Sequence, residues 1–292
     1  MTGPELIFDR RLLRWRKARA AAAMSGYGFL LEHVVTDLAE RLSIMQRQFG
    51  LGVDLGAHGA ALSQGLMNTG KVTRMLRAAS ISQLSGAADA ASVLCDEEAL
   101  PFAPQSLDLI VSGLTLQLVN DLPGALLQIR QALKPDGLFL AAMLGGRTLE
   151  ELRAAFASAE IETAGGLSPR VAPFADVRDL GRLLQRAGFA LPVADTEVLR
   201  VTYPTPLALM RELKAMGASN LLRDRRKVPL RRATLAAAAT NYARDFGDAA
   251  GRVAATFEIV TLTGWAPHAS QQQPLRPGSA RGSLAAAVTK PT

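Results

Sequence analysis

Apolar positions in this chain follow two alternating rhythms. From residue 32 to 49, "EHVVTDLAERLSIMQRQF" puts Val34, Leu38 and Leu42 on one face at helical spacing, so the first fifty residues read as mostly helical. Short apolar runs then alternate with helical stretches. "GLGVDLG" reads as a first strand and "AALSQGLMN" as the helix after it. "KVTRMLRA" (71–78), "ASVLCD" (91–96), "LDLIVSGL" (107–114) and "LFLAAML" read as the second to fifth strands. Before the fifth lies "DLPGALLQIRQALKPDG", a helix that Asp121 would cap, with Pro123 in its first turn and Pro135 and Gly137 past its end. Such alternation predicts a parallel sheet covered by helices on both faces.

The second half is less regular. Helices are expected over 148–164 and 176–188, an extended segment over 191–203, and two further helices in "PLALMRELKAMGASN" and "LRRATLAAAATNYARDF". "VAATFEIVTLTGWAP" (253–267) is β-branched and aromatic, and so a strand. The expected layout is an N-terminal helical extension (1–48), a seven-stranded α/β domain (49–268) with a helical insertion at about 205–250, and a flexible tail (269–292). A nicotinamide dehydrogenase would offer six strands and a separate substrate domain, so the strand count points away from that class.

At 49% hydrophobic residues, the 292-residue chain supports a large core. Cys95 is the only cysteine, which excludes an internal disulfide and a cysteine-built zinc site and suits a reducing, cytoplasmic setting. No apolar run approaches the ~20 residues of a membrane span. Glu5 and Asp9 ahead of the basic run, with no apolar core after it, count against a signal peptide. Net charge is +7, concentrated in "RRLLRWRKAR" (10–19) and "RDRRKVPLRR" (223–232), six basic residues each. Two readings stand: an anionic partner (RNA, an acidic protein or a phosphopantetheine carrier), or a solvated basic helix and loop. No aromatic stacking ladder accompanies the charge, which disfavours nucleic acid.

In an open parallel sheet, ligands bind beyond the carboxyl ends of the strands. Asp54 lies at that edge of the first strand, and Gly56 and Gly59 would let the backbone approach a ligand; a plain strand-to-helix turn is the competing reading. Asp96 and Glu97 follow the third strand, where a carboxylate can accept from an adenine amino group. Ser112 and Gly113 end the fourth. Cys95 reads as an inert core thiol. His33, His58 and His268 form no metal-ligand spacing, so no metal is expected and no catalytic base is assigned. Arg170, Asp176 and Tyr203 are candidate substrate-side groups, with a structural role as the competing reading for each.

These strand ends resemble the class I S-adenosylmethionine-dependent methyltransferases. "FDRRLLRWRKARAA", "LPF…LDLIVSGLTLQLVNDLPGALLQIRQALKPDGLFLAAMLGG", "GGLSPRVAPFADVRDLGRLLQRAGF", "MRELKAMGASN" and "ATFEIVTLTGW" narrow the resemblance to bacterial relatives of a mitochondrial complex I assembly factor with that fold. The malonyl-carrier-protein methyltransferase of biotin synthesis is a more distant likeness. The resemblance implies a Rossmann-like, mostly parallel seven-stranded sheet with the last strand antiparallel. It implies S-adenosylmethionine held by Asp54, Gly56, Gly59, Asp96, Glu97 and Ser112. The implied partner is a protein substrate, a complex I subunit or an acyl carrier protein. The activity is methyl transfer or, as in the mitochondrial member, arginine hydroxylation; RNA methylation is a weaker third reading.

Three departures from the family pattern stand out. Ala57, His58 and Ala60 interrupt the glycine spacing D-x-G-x-G-x-G, of which Ala57 is small enough to be tolerated. No acid occurs between Asp54 and Asp89, so the second strand ends near Ala79 and Ser80 without the carboxylate that usually holds the ribose. That loss costs about 1.5–3 kcal/mol, one to two decades of affinity, of which Ser80, Ser82 or Gln83 would restore part. Gln117 and Leu118 replace a His-Trp pair after the fourth strand, and a glutamine cannot take up a proton at neutral pH.

Overall fold

The computed structural model describes residues 6–20, 28–81 and 91–272. Its seven strands are β1 (Phe49–Leu55), β2 (Val72–Ala79), β3 (Ser92–Leu94), β4 (Leu107–Gly113), β5 (Leu133–Leu144), β6 (Ala190–Tyr203) and β7 (Val253–Trp265). They form one sheet in the order β3-β2-β1-β4-β5-β7-β6. The pairs among β1 to β5 are parallel, whereas β7 runs antiparallel to both β5 and β6. The reversal of strand order between β1 and β4 opens the crevice in which such sheets hold ligands.

Helices cover both faces. α2 (Phe29–Ser43), α3 (Ala61–Asn68), α5 (Glu150–Ala164), α7 (Pro206–Ala215) and α8 (Arg232–Phe246) pack on one; α4 (Leu122–Ala132) and α6 (Val177–Arg186) pack on the other. β5 shows why its apolar run is continuous. Leu138, Leu140 and Ala142 enter the first core while Phe139, Ala141 and Met143 enter the second. Val34, Leu38 and Leu42 are buried on one face of α2, as their spacing predicts. Asp121 caps α4, its carboxylate accepting from the Gly124 amide at 2.8 Å, and Asp176 caps α6 by accepting from the Arg178 amide at 2.8 Å.

Several boundaries differ from the sequence reading. The helix over 32–49 stops at Ser43, because Phe49 opens β1 and pairs with Val72. The third strand shortens to Ser92–Leu94. β5 starts at Leu133, so Pro135 and Gly137 lie inside it; a register shift between Leu107 and Leu109 and a positive φ of 62° at Asp136 absorb the irregularity. α7 ends at Ala215, with Gly217 at φ 75° turning the chain away. The expected tail from 273 onward, Ser82 and Gln83 lie outside the described residues.

At the N-terminus, α1 (Arg10–Ala20) lies against the body of the fold rather than apart from it. Leu13 is buried with Phe8, Leu221 and Leu222, Arg16 donates to the Asn220 carbonyl at 2.6 Å, and Arg225 pairs with Asp9 at 3.2 Å.

Candidate active site

The carboxyl ends of β1 to β4 meet along one edge. Asp54 is fully enclosed there, and burial pushes its carboxyl up to about 7 against the opposing pull of the Ser63 amide and the Arg77 guanidinium. Its Oδ2 has no hydrogen-bond partner among the described residues. After β1 the loop turns at Gly56 with φ 77°; a Cβ there would meet Thr115 Cγ2 at 2.3 Å, so only glycine fits. Its amide and that of Ala57 donate to the Ala78 carbonyl, which locks the loop onto β2. Gly59 has φ 113° and nothing within 4 Å of a built Cβ, so open space faces the loop just before α3 begins.

His58 points back across the loop. Its Nε2 lies 2.9 Å from Thr115 Oγ1, which also bonds the Gly56 carbonyl at 3.0 Å. Burial, with the nearby Lys17 ammonium adding, pushes the imidazole down to about 3, while a hydrogen bond to the Leu114 backbone opposes the shift. The ring is therefore neutral at physiological pH and already engaged.

At the end of β2, Ala79 is buried and Ser80 Oγ has no partner among the described residues. At the end of β3, α1 closes over the acids. Arg10 Nη2 lies 2.5 Å from Asp96 Oδ1 and bonds Glu97 as well; Arg14 reaches Asp96 Oδ2 at 3.0 Å, and Lys17 Nζ lies 3.6 Å from Glu97 Oε1. Burial alone would raise the Asp96 carboxyl, but the Glu98 amide and the Arg10 and Arg14 guanidiniums hold it below the usual carboxylate range. Ala18 packs on Ala57, Ala79 and Ile81, so the helix lies directly over the ends of β1 and β2. The basic run at 10–19 is thus turned inward in part, and its positions 10, 14 and 17 form one helical face matched to the acidic pair. That spacing was the available sequence signal for the contact.

The structure draws Asp54, Gly56, Gly59, Asp96 and Glu97 to this edge. The hydroxyl of Ser112, the sixth contact the resemblance implies, is turned to the protein instead. It is fully buried and donates to the Leu55 carbonyl at 2.8 Å, tying β4 to β1.

Beside the edge lies a cavity of about 450 Å³, walled by α1, α2, α5, α7, the start of α8 and the segment 170–174. Its lining is largely apolar, with Phe156, Phe174 and Phe257 among the walls, and His58, Leu114 and Gln117 form the side nearest the strand ends. Gln117 Nε2 donates to the Leu114 carbonyl at 2.8 Å, which leaves Oε1 buried without a partner among the described residues. Arg170 lines the cavity while paired with Glu160. Asp176 is occupied as a helix cap, and Tyr203 donates to Glu212 at 3.2 Å. His33 pairs with Glu197 at 2.8 Å and His268 with Ser270, far apart in the chain, and no group of His, Cys, Asp and Glu among the described residues is arranged to hold a metal ion.

A family described as Methyltransferase domain matches residues 53–141, the segment from β1 into β5. Over 287 residues the chain is 41% identical to the mitochondrial arginine-hydroxylase NDUFAF5 of Danio rerio, covering 96% of this chain and 88% of that one. The chain belongs to the NDUFAF5 family of methyltransferase-domain proteins. This NDUFAF5-family chain is also 35% identical over 286 residues to the malonyl-[acyl-carrier protein] O-methyltransferase of Laribacter hongkongensis, covering 92% and 94% of the two chains. Among solved structures, the YcgJ protein of Bacillus subtilis superposes with a TM-score of 0.55 at 12% identity, over 81% of this chain and 99% of that one, a likeness of fold alone.

The strand ends of this NDUFAF5-family protein fit S-adenosylmethionine in three respects. Asp54 Oδ2 and Ser80 Oγ are buried polar atoms without a hydrogen-bond partner among the described residues, the space over Gly59 is open, and the positive end of α3 faces the same edge. Asp96 and Glu97 are shared with α1.

Proposed function

We propose that this protein is an S-adenosylmethionine-dependent methyltransferase acting on a protein or carrier substrate. The observation that carries the reading is the convergence of Asp54, Gly56, Gly59, Asp96 and Glu97 at the strand ends, directly beside an apolar cavity. Asp54 and Ser80 would hold the ribose side, Asp96 and Glu97 the adenine amino group, and the Gly56–Gly59 turn the methionine side. When bound, S-adenosylmethionine supplies a methyl group on a positively charged sulfur. The cavity beside those residues would hold the acceptor. The apolar walls exclude water, and positioning and desolvation provide most of the acceleration. Among the described lining residues the one imidazole is that of His58, which stays neutral and bonded to Thr115, so no residue there is assigned as base.

A second reading keeps the fold without methyl transfer: a factor that hydroxylates an arginine of a respiratory complex I subunit, or chaperones that subunit. The 41% identity to a protein named arginine-hydroxylase supports it. So does the sharing of Asp96 and Glu97 with α1. A reducing aqueous compartment suits the buried Cys95, and no described helix is long and apolar enough to cross a membrane.

Calorimetric titration of S-adenosylmethionine into the full chain separates the two. Micromolar binding supports the first reading, and no heat at millimolar ligand leaves the second. Mass spectrometry of respiratory subunits and acyl carrier protein from cells with and without the chain then shows whether an added methyl or an added oxygen disappears.

A further inference from the structure

Thr115 is completely buried, and its hydroxyl oxygen has three polar neighbours. The Gly56 carbonyl stands at 3.0 Å, the Gly113 carbonyl at 3.3 Å and His58 Nε2 at 2.9 Å. A carbonyl can only accept, and a hydroxyl carries one proton. With Nε2 bare, three acceptors would compete for that proton, and a buried acceptor left without a donor is costly. With a proton on Nε2, the ring donates to Oγ1, and the hydroxyl is free to donate to Gly56, the nearer carbonyl. The Leu114 backbone competes for the single proton of the neutral ring, but its carbonyl already accepts from Gln117 Nε2 at 2.8 Å. The arrangement therefore places the ring proton on Nε2.

Two backbone features aim Thr115 at this spot. Leu114 takes a left-handed φ of 53°, a costly conformation for a residue with a side chain, and the Ala142 carbonyl holds its amide at 2.8 Å. Gly56 in turn lacks the Cβ that would strike the Thr115 methyl. The Gly56 and Ala57 amides are committed to Ala78, so the amides of His58 and Gly59 are the ones left beside the open space of the turn.

We propose that Thr115 is the positioning residue of the cofactor loop. Its hydroxyl anchors the Gly56 carbonyl, and the His58 ring turns that hydroxyl toward it. The anchor fixes the turn so that the His58 and Gly59 amides are presented to the methionine carboxylate of S-adenosylmethionine. The identity of that ligand rests on the methyl-transfer reading above; the ring tautomer and the Thr115 anchor do not.

Thr115→Val keeps the side-chain shape and removes the hydroxyl; Thr115→Ser keeps the hydroxyl and removes the methyl. S-adenosylmethionine and 5′-methylthioadenosine, which lacks the amino-acid end, are titrated calorimetrically into the full chain and both variants. Nitrogen-15 NMR of the His58 ring locates its proton in each protein. The wild type should carry it on Nε2. Thr115→Val should lose about ten-fold in affinity for S-adenosylmethionine, keep methylthioadenosine within about two-fold, and shift the ring proton toward Nδ1. Thr115→Ser should stay within about three-fold of wild type for S-adenosylmethionine and keep the proton on Nε2. A wild-type proton on Nδ1, an unchanged S-adenosylmethionine affinity in Thr115→Val, or an equal loss for both nucleosides overturns the proposal while leaving the methyl-transfer reading in place. Circular dichroism checks folding; if Thr115→Val does not fold, the wild-type tautomer and the Thr115→Ser titration decide. If the wild type does not bind S-adenosylmethionine, the methyl-transfer reading fails, and the ring tautomer across the three proteins decides the Thr115 anchor by itself.

Discussion

Arg10 of the first helix reaches Asp96 at the end of β3, 86 positions away in sequence, with Nη2 and Oδ1 2.5 Å apart. The same guanidinium bonds Glu97, which is 1% exposed, so one cation holds two acids that a cofactor would also use. Replacing it should therefore affect stability before anything else. Arg10→Met leaves Glu97 enclosed with only Lys17 nearby, and breaking such a pair costs about 3 kcal/mol at pH 7. Because the Asp96 carboxyl is held below its usual range, the stabilisation is present above about pH 4 and fades as pH falls through the folded value. Urea unfolding of both proteins at neutral pH and below pH 4 checks this; a variant as stable as wild type at pH 7 would show the contact to be idle.

His58 is predicted to restrain cofactor binding. His58→Gly restores the interrupted glycine spacing and frees the space held by the His58–Thr115 contact. Affinity for S-adenosylmethionine should rise at least about three-fold in calorimetry. A fall would mean that the imidazole is a ligand contact instead.

The same ring gives a pH signature. Burial holds it neutral down to about 3, whereas an unfolded histidine takes up a proton near 6.5. The unfolded chain then binds more protons, so stability should decline on acidification from about pH 6.5. Proton–carbon NMR of the His58 ring should show no titration between pH 5 and 8.

Asp54 works in the opposite sense. With its carboxyl raised to about 7, the folded state binds the extra proton, and the stabilisation is full below about pH 4 and lost as pH rises through 7. Asp54→Asn removes that slope. Relative to wild type, the variant should gain on the order of 4 kcal/mol between pH 4 and pH 8, measured by urea midpoints at both. Parallel stability curves would refute the raised value.

Cys95 should resist alkylation. Burial, followed by the Glu97 and Asp96 charges, pushes the thiol up to about 12. Iodoacetamide at pH 8 should modify the folded protein at least about a hundred-fold more slowly than the urea-unfolded chain. Comparable rates would mean that the thiol is accessible.

Local periodicity carried most of the sheet. The continuous apolar runs of β4 and β5 are buried on both faces, and Asp121 caps its helix where its position promised, whereas Asp176, a candidate substrate-side group, proves to be a helix cap. Periodicity misled at Phe49, which continues the spacing of Leu42 by two helical turns yet belongs to β1, because pairing with Val72 outweighs local preference. It also misled at Pro135, where stop signals for α4 sit inside β5. The loop after β1 was legible from Asp54, Gly56 and Gly59. The seat of α1 was not, since its hydrogen bonds to Asp96 and Asn220 join residues 82 to 204 positions apart, and pairing of that range leaves only a charge spacing in the sequence.

The chain leaves the sheet after Tyr203 and returns at Val253, and those two residues are register partners across β6 and β7. The excursion between them carries α7 and α8, which wall the cavity, while the Gly56–Gly59 turn after β1 adds His58 to the same lining. Both ends of the excursion are pinned to one rung of the ladder, so its sequence can drift, lengthen or be exchanged without disturbing strand register. The walls formed by α7 and α8 can therefore be reshaped while the sheet stays as it is, as a tool holder accepts a new bit while the handle stays the same.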